Sequence, residues 1–357
     1  MKSSPKSPVT AAQTANISNG KSENYSELTE STHPYVMEII WRNVLVFIGL
    51  HVGALYGLLL FLTAAKVATL VWAYYLFIVG GFGIAAGAHK LWSHRSFKAI
   101  LPFRILIAVA QTIALQDDIY QWSRDHRVHH KFSDTDADPY NSRRGFFFSH
   151  VGWLLCKKHP EVIRRGKTVD ATDLLQDPVV VYQRKYYVPL ALVCFALPAI
   201  VPWYFWGESF KTAFFVASVF RYVFTLHATW LTNSAAHIWG YHPYDKQMKP
   251  SDSRLAASFS LGEWHNYHHV FPGDYRVAEL GSWRMSATVV VIDLFAWMGL
   301  IYDLKTVSPK IVRSRVLRTG DGTHPYALME NCPLTYSGDS QHQHNVDSEI
   351  FKSGPSE

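Results

Sequence analysis

Four long apolar segments constrain the fold of this chain more than any other feature of its sequence. A helix needs about 20 apolar residues to cross the hydrocarbon core of a bilayer, and each segment is about that long. Short links join the first segment to the second and the third to the fourth, so we predict two helical hairpins that span a membrane. Arg221 lies in the fourth segment, where a charge is unfavourable in lipid, and is expected to face the interior of the bundle. The segments cover roughly residues 44–65, 67–88, 186–207 and 210–231.

Two further apolar stretches are poor candidates for crossing. Residues 99–115 contain Pro102 and Arg104, and residues 286–302 form a short stretch that contains Asp293. Both are predicted to be helices that lie along the membrane surface. The predicted fold class is therefore an all-α integral membrane protein, with four transmembrane helices in two hairpins and a helical cap on one side.

The polar segments indicate the topology and the domain limits. Two hairpins place both termini and the Lys/Arg-rich segment 89–185 on one side of the membrane, which the positive-inside rule makes cytosolic. The first residues are rich in Ser, Thr, Asn and Lys and lack the apolar region of a signal peptide, so we expect a disordered tail. The predicted limits are 1–36 for this tail, 37–322 for the membrane domain with its cap at 89–185 and 232–322, and 323–357 for a flexible C-terminal tail.

Composition and charge exclude several classes of protein. The chain has 357 residues, of which 48% are hydrophobic, and a net charge of +6. Its three cysteines lack CxxC spacing, which favours a reducing compartment and excludes a disulfide framework or a zinc ribbon. No Gly-rich nucleic-acid motif accompanies the positive charge, which we interpret as attraction to anionic lipid head groups or to an anionic substrate.

Histidines cluster on the predicted cytosolic side. HRVHH and HNYHH share the pattern His-x-x-His-His, which on a helix places three imidazoles within an arc of about 100° and lets the adjacent pair reach two different centres. HKLWSH follows the second span. Asn233 and His237 follow the fourth and are spaced i and i+4, so they share a face if the helix continues. The clustered histidines are His89, His94, His126, His129, His130, His265, His268 and His269.

These eight imidazoles suit a site with two metal ions, because one first-row ion holds about four to six ligands. Zinc and copper also accept imidazole, but a structural zinc site needs about four ligands and usually includes thiolates. We therefore expect two iron ions that activate O2 at the membrane face. A lone histidine is more often a surface or hydrogen-bonded residue, and we interpret the following in that way: His33, His51, His150, His159, His227, His242, His324, His342 and His344.

Long strings around the clusters resemble the membrane acyl-CoA desaturases of the stearoyl-CoA type, including those of insects. The strings are AGAHKLWSHRS, RDHRVHHKFSDTDADP, RGFFFSHVGWLL, WLTNSAAH and RTGDGTH, and the resemblance runs from about Arg42 to Gly322. It implies nine iron-ligating histidines, namely the eight above and His237, with Asn233 contacting one iron through water. It also implies a cytosolic cap that holds this di-iron site, on the membrane of the endoplasmic reticulum.

In this family the acyl chain enters a bent tunnel beneath the metals. Phe77 and Gly81 match positions at its closed end and lie one helical turn apart. The small Gly81 implies acceptance of long acyl groups of about 16 to 18 carbons. The residues that match the bend of the tunnel are Gln116, Trp122 and Thr229. Trp230, next to Thr229, is also predicted to contact the substrate.

The resemblance also implies contacts to the CoA head group. CoA carries several phosphates, which Arg and Lys bind through charge-assisted hydrogen bonds. The matching positions are Arg124, Asp125, Lys157 and Lys158. An alternative for the two lysines is a basic pair beside the membrane under the positive-inside rule.

The activity implied is that of an O2-dependent desaturase. Electrons are expected from cytochrome b5 and its NADH-dependent reductase, since the chain has no flavin or dinucleotide fingerprint. A delta-9 double bond is favoured because the residues at the bend match. The alternatives are another position such as delta-11, a histidine-rich membrane hydroxylase of alkyl chains or sterols, and a metal-ion transporter, which would need polar ligands at mid-membrane depth.

Two departures from the family pattern stand close to the site. The family usually has GEGFHNYHH or a near relative where this chain reads GEWHNYHH, one residue shorter. Removing a residue would rotate the preceding segment by about 100° if it is helical. Asp117 stands where Asn is common. Substrate contacts just before His265 are therefore where this chain is expected to differ.

Overall fold

The computed structural model describes residues 36–277 and 286–329. Nearly all of the predicted N-terminal tail, and residues 330–357 of the predicted C-terminal tail, lie outside these ranges. The described part is helical, as the apolar segments predicted, and β1 (Lys98–Ala99) pairs antiparallel with β2 (Ile301–Tyr302). The α-helices are α1 (Trp41–Thr63), α2 (Val67–Phe82), α3 (Leu101–Ala114), α4 (Ile119–Phe132), α5 (Phe146–His150), α6 (Pro160–Gly166), α7 (Thr172–Gln176), α8 (Pro178–Lys185), α9 (Tyr187–Phe205), α10 (Phe210–Ala213), α11 (Arg221–Asn233), α12 (Ala235–Ile238), α13 (Arg254–Phe259), α14 (His265–Val270), α15 (Ala287–Trp297), α16 (Pro309–Thr319) and α17 (Pro325–Met329).

Four helical stretches among the described residues are long and apolar enough to cross a membrane, which makes the chain a multi-pass membrane protein. Two of them differ from the predicted spans. The second ends at Ser93 and not at residue 88, so His89 lies inside the helix. The fourth is interrupted at Ser234, so Asn233 and His237 do not share one regular helix as their spacing suggested. The stretches are Trp41–Thr63, Val67–Ser93, Tyr187–Phe205 and Phe210–Ile238.

The second span ends in a π-helix, Gly83–Ser93, which packs closely on α3. A Cβ atom at Gly83 would overlap the backbone of Ala110 and Gln111. In a π-helix an N–H bonds to the C=O five residues earlier, and the 3.1 Å bond from His94 N to His89 O has this spacing. Five residues make about one π turn but about 1.4 α turns. The wide turns therefore bring both histidines of HKLWSH to one side.

Polar side chains tie the spans together. Glu208, in the turn between the third and fourth spans, accepts hydrogen bonds from Lys66 N at 2.8 Å and from Thr69 Oγ1 at 2.7 Å in the other hairpin. Arg221 is only 2% exposed and donates to the carbonyl oxygen of Ile113 at 3.0 Å. It faces the interior of the bundle, as predicted.

The two shorter apolar stretches form α3 and α15, which share a hydrophobic core with α4, α7 and α8 on the histidine-rich side of the spans. Residues 323–329, assigned to the predicted tail, include α17. Among them, Tyr326 and Ala327 pack on the hydrophobic cluster around Tyr244, and the ring of His324 lies 5.3 Å from that of Tyr244. The fully buried members of the core are Ala86, Ile119, Val180 and Ile292, with Phe97, Ile107, Leu174 and Ile301 at 1–2% exposure.

Candidate metal centre and substrate cavity

Nine histidines converge into two groups, and within each group the candidate ligand atoms lie within 4.8 Å of one another. The adjacent members of each triplet diverge, because His130 and His268 join the first group while His129 and His269 join the second. His237 comes from α12, beyond the interruption of the fourth span. The first group is His89, His94, His126, His130 and His268, and the second is His129, His237, His265 and His269.

The Nε2 atoms of the first group face one another. His268 Nε2 lies 2.8 Å from His89 Nε2 and 2.9 Å from His130 Nε2. His94 Nε2 lies 2.9 Å from His126 Nε2. Two nitrogens bound at about 2.1 Å to one ion, at right angles, would lie about 3.0 Å apart. The spacing of these atoms is therefore that of ligands around a common ion.

The second group is entirely buried and has the same spacing. His265 Nε2 lies 2.9 Å from His237 Nε2 and 3.1 Å from His269 Nε2. His129 Nε2 is buried and makes no hydrogen bond to any described residue. A buried polar nitrogen without a partner is unfavourable, so the lone pair of His129 Nε2 is suited to bind a metal ion at the centre of the group.

Two carboxylates fix two of the four imidazoles of the second group from behind. His129 Nδ1 lies 2.9 Å from Asp138 Oδ1, and His237 Nδ1 lies 3.0 Å from Asp134 Oδ2. Each Nδ1–H therefore donates to a carboxylate, which leaves the Nε2 lone pair directed at the group's centre. Burial raises the pKa of Asp134, but the hydrogen bond and charge of His237 outweigh it and hold that pKa well below its usual range.

Burial also keeps most of the imidazoles neutral, as metal ligands must be. His129 is the exception, because the charge of Asp138 and its hydrogen bond outweigh burial and raise the pKa of His129 above its ordinary value. Burial lowers the pKa well below the ordinary value for His94, His126, His130, His265, His268 and His269.

A third carboxylate stands behind the first group. Glu263 Oε1 lies 3.4 Å from His89 Nδ1 and 3.9 Å from His268 Nδ1, and burial raises the pKa of Glu263 to about 7. The fully buried Lys90 places Nζ 3.1 Å from His268 Nδ1 and donates to the carbonyl of Asp274 at 3.0 Å.

The sequence reasoning missed Asp134, Asp138 and Glu263. The signal was their position, because DTDAD follows the first triplet and GEW precedes the second.

The donor set fits two metal ions. It offers five nitrogens in one group and four in the other, close to the coordination number of first-row ions, and neither group includes a thiolate. Neutral imidazoles repel one another when their lone pairs face each other. A cation placed between them would accept these lone pairs as ligands and remove the repulsion. Asn233 lines the cavity beside the second group, and its predicted contact through water stays a prediction.

Three cavities that share lining residues lead past the metal centre. A cavity of about 230 Å³ meets a narrow one of about 70 Å³ at Trp122, Thr229 and Asn233. The narrow cavity in turn meets an apolar one of about 760 Å³ at Phe77 and Leu261. The narrow cavity is lined by histidines of both groups, so anything that threads all three passes the metal centre.

Most of the predicted substrate contacts line this route. Gln116 Nε2 donates to Thr229 Oγ1 at 2.9 Å, and the Trp122 ring stacks on His126 at 5.0 Å. Trp230 is buried and lines the first cavity with Gln116. Phe77 and Gly81 both line the narrow cavity. The spacing i and i+4 thus brings them together as the sequence predicted.

The predicted head-group residues are only partly assembled. Asp125 lines the first cavity and forms ion pairs with Arg124, at 3.0 Å, and with Lys158. Lys157 instead pairs with Glu38 at 2.6 Å, and both side chains are more than half exposed. The structure thus brings three of these four residues together and leaves Lys157 at the surface.

The shortened segment before the second triplet reaches the acyl route. Leu261 and Gly262 have φ angles of 60° and 88°, in the left-handed region that Leu rarely adopts. The Leu261 side chain lies against Gly81, where a Cβ would stand 3.3 Å from Leu261 Cδ1. The tight turn thus lies at Leu261 and Gly262, and Leu261, which builds the cavity wall at Gly81, directly precedes the GEW segment where this chain departs from the family pattern.

Three histidines interpreted as ordinary form a hydrogen-bonded chain outside the metal centre. His227 lies 3.1 Å from His51 and 2.9 Å from His150, and the latter lies 2.9 Å from Ser234 Oγ. The links use both nitrogens of His227, so the three do not converge on one point. The rings of His150 and His227 pack against Trp230, and the three histidines connect α1, α5 and α11 behind the wall of the first cavity.

The chain matches the family model Fatty acid desaturase over residues 67–288. It is 54% identical over 303 residues to an acyl-CoA Delta-9 desaturase of Acheta domesticus, with 84% of each chain covered. An acyl-CoA Delta12-desaturase of the same species is 49% identical over 316 residues, with 88% of each chain covered. A stearoyl-CoA desaturase of Homo sapiens is 52% identical over 290 residues, which cover 81% of this chain and 80% of the relative.

Proposed function

The chain belongs to the fatty acid desaturase family, and from this premise we propose that it is an oxidoreductase that introduces a double bond into the saturated acyl chain of a fatty acyl-CoA. One observation carries the proposal. Histidines of both groups line the smallest of three adjoining cavities, between one that carries Gln116, Asp117 and Asp125 and one that is largely apolar. An amphipathic thioester fits such a route, with its methylenes beside the metal centre.

The metal we propose is iron, held by the nine histidines, with Asn233 contacting one ion through water. A pair of bound iron ions supplies the oxidising chemistry by which O2 removes hydrogen from unactivated methylenes. The protein's own part is to present neutral Nε2 lone pairs. Asp134 and Asp138 do this by holding Nδ1–H, and burial does it by excluding protons and water.

The position of the double bond depends on where the acyl chain bends. Gln116 and Thr229 form one hydrogen-bonded wall of the first cavity, and Trp122 forms the wall beside His126. With the head group held by Arg124 and Lys158, a fixed length of chain reaches the metals. We favour the delta-9 position, because one relative is named a Delta-9 desaturase. Another relative is named a Delta12-desaturase, so we propose that the cavity walls at the bend decide which of these positions reacts.

The same geometry bears on chain length. Beyond Phe77 and Gly81 the apolar cavity of about 760 Å³ leaves room for the end of a long acyl group. We propose substrates of about 16 to 18 carbons, since a concave apolar site selects by the length it can enclose.

We place the protein in the membrane of the endoplasmic reticulum with its histidine-rich side and both termini in the cytosol. The positive-inside rule supports that orientation. We propose cytochrome b5 and its NADH-dependent reductase as the source of electrons, because the sequence carries no flavin or dinucleotide fingerprint.

Expression in a desaturase-deficient yeast tests the proposal. Total fatty acids are converted to dimethyl disulfide adducts and analysed by mass spectrometry, which locates each double bond. New unsaturated acids are expected, and His129→Ala should abolish them, while His159→Ala, which changes a histidine outside both groups, should not. Hydroxylated acids, or no new acid despite iron and cytochrome b5, would contradict the proposal.

A further inference from the structure

A basic groove lies on the outer side of α16. It has a volume of about 480 Å³, and charged side chains alternate along it with apolar ones. We define the basic groove by its lining residues, which are Val270, Phe271, Lys310, Ile311, Ser314, Arg315 and Arg318.

The floor of the basic groove belongs to the helix that carries metal ligands. Val270 and Phe271 directly follow His268 and His269, which lie in different histidine groups. The Phe271 ring packs on Tyr267 at 5.1 Å. Two residues that line the basic groove are therefore one to three positions along the chain from a candidate ligand in each histidine group.

The inner and outer faces of α16 differ sharply. Val312 and Val316 are buried against Tyr267 and Phe271, which fixes α16 over α14. On the outer face Lys310, Ser314 and Arg318 follow the spacing i, i+4, i+8 and form a ridge about 12 Å long.

The ridge carries positive charge that is not neutralised nearby. α16 contains no Asp or Glu. Arg315 pairs with Asp245, but within residues 36–277 and 286–329 neither Lys310 nor Arg318 pairs with a carboxylate. Two exposed, uncompensated cations on a shallow groove fit an anionic partner better than an apolar one.

The reaction needs electrons at this place. If the proposed function holds, one turnover removes two hydrogen atoms from adjacent methylenes while O2, two donor electrons and two protons become two waters. The substrate thereby supplies the other two electrons of O2 reduction. No described cofactor site in the chain provides the donor electrons, so they arrive from outside.

We propose that the basic groove is the docking site of an acidic one-electron carrier protein, which delivers electrons to the metal centre through α14. The small size of the groove suits the transient interfaces of electron-transfer partners. Charge complementarity of this kind acts mainly on the rate of encounter, and it weakens as salt screens it.

The experiment follows reoxidation of the reduced haem domain of a cytochrome b5 by the full-length, iron-loaded protein. Lys310→Glu with Arg318→Glu is compared with Arg164→Glu on α6 and Lys167→Glu directly after it, a pair that changes the net charge equally. The α16 double variant should raise the carrier concentration for half-maximal rate at least tenfold and flatten its dependence on salt. The α6 variant should leave both unchanged.

A reversed-charge carrier should recover the rate with the α16 variant. Single-turnover desaturation with dithionite as reductant should be equal in all variants. Its failure in the parent protein would reject the proposed function and not the docking site, because carrier reoxidation is measured without product. Equal carrier dependence in both double variants would overturn the docking site. The docking site would also be overturned if anionic-lipid vesicles slowed carrier reoxidation by the parent protein as much as the α16 double variant does, because lipid would then occupy the groove. It would likewise be overturned if removal of residues 330–357 made carrier reoxidation faster, because the chain's own tail would then occupy the groove.

Discussion

His237 donates its Nδ1 hydrogen to Asp134 over 3.0 Å, although 103 residues separate them in the chain. Both side chains are almost fully buried, so the contact fixes the ring orientation of a histidine that belongs to neither triplet. The interruption at Ser234 brings His237 to this position. Asp134, in the loop that follows the HRVHH triplet, thus orients a candidate metal ligand at the end of the fourth span.

Asp134→Asn should weaken metal binding without removing a ligand. The amide cannot hold the Nδ1–H as firmly, and loss of such a partner typically lowers metal affinity about 10- to 100-fold. Metal content after dialysis against a graded chelator measures the change. Asp136→Asn is the matched control, because Asp136 lies in the same DTDAD segment but is exposed. Equal retention by both variants would contradict an orienting role.

Metal release on acidification should occur in two steps. A group with a raised pKa is protonated first as the pH falls, and Asp138 raises the pKa of His129. Burial lowers the pKa of His94, His126, His130 and His268 in the other group, so these stay neutral to lower pH. About half of the metal should therefore leave first, since protons and metal compete for the same nitrogens.

Metal per protein, measured after rapid desalting at each pH, distinguishes the two steps. Asp138→Asn removes the charge that raises the pKa of His129 and should move only the first step, because Asp138 pairs with a histidine of the second group. A single release of both metals at one pH would show that the groups do not titrate separately.

Gly81→Trp should shift the products toward shorter acyl chains. A side chain at Gly81 meets Leu261 at once, since even a Cβ would stand 3.3 Å from Leu261 Cδ1. An indole at this position should close the passage to the apolar cavity. A pocket of this kind discriminates between acyl chains of different length by about 10-fold or more. The ratio of unsaturated C14 to C18 acids in yeast measures it. Gly49→Trp is the control, because no atom lies within 4 Å of a Cβ at Gly49; unchanged product lengths from Gly81→Trp would refute the assignment.

Thr229→Val should broaden the position of the double bond. The change removes the acceptor of the 2.9 Å hydrogen bond that the Gln116 amide donates. Leaving a buried amide without its hydrogen bond costs about 1–3 kcal/mol of free energy. The wall of the bend then becomes mobile, and dimethyl disulfide adducts should reveal a second positional isomer. Thr229→Ser keeps the hydroxyl and should retain the parent pattern. A single unchanged isomer from Thr229→Val would show that the wall is set by Trp122 and the backbone instead.

Much of the architecture followed from local patterns. Length and hydropathy predicted the spans, because lipid accepts only backbone that is hydrogen-bonded within itself. The helical period predicted that neighbours in each triplet diverge, and His129 and His130 do join different groups. The cost of a buried charge predicted that Arg221 would turn inward.

What the local patterns did not predict depends on contacts between distant segments. The π turns that carry His89 and the break that places His237 arise where helices press together, which no periodicity records. The carboxylates Asp134 and Glu263 acquire their roles only by standing behind imidazoles from other elements.

The sequence by itself therefore determined which chemistry this protein carries, because residue types and short-range spacing define a donor set. Only the tertiary structure decided how that set is divided and what it faces. The pairing of His89 with His268, the seating of Leu261 on Gly81 and the separation of Lys157 from Asp125 are each a matter of packing. Packing energies sum over the whole fold, so these arrangements follow from no single segment.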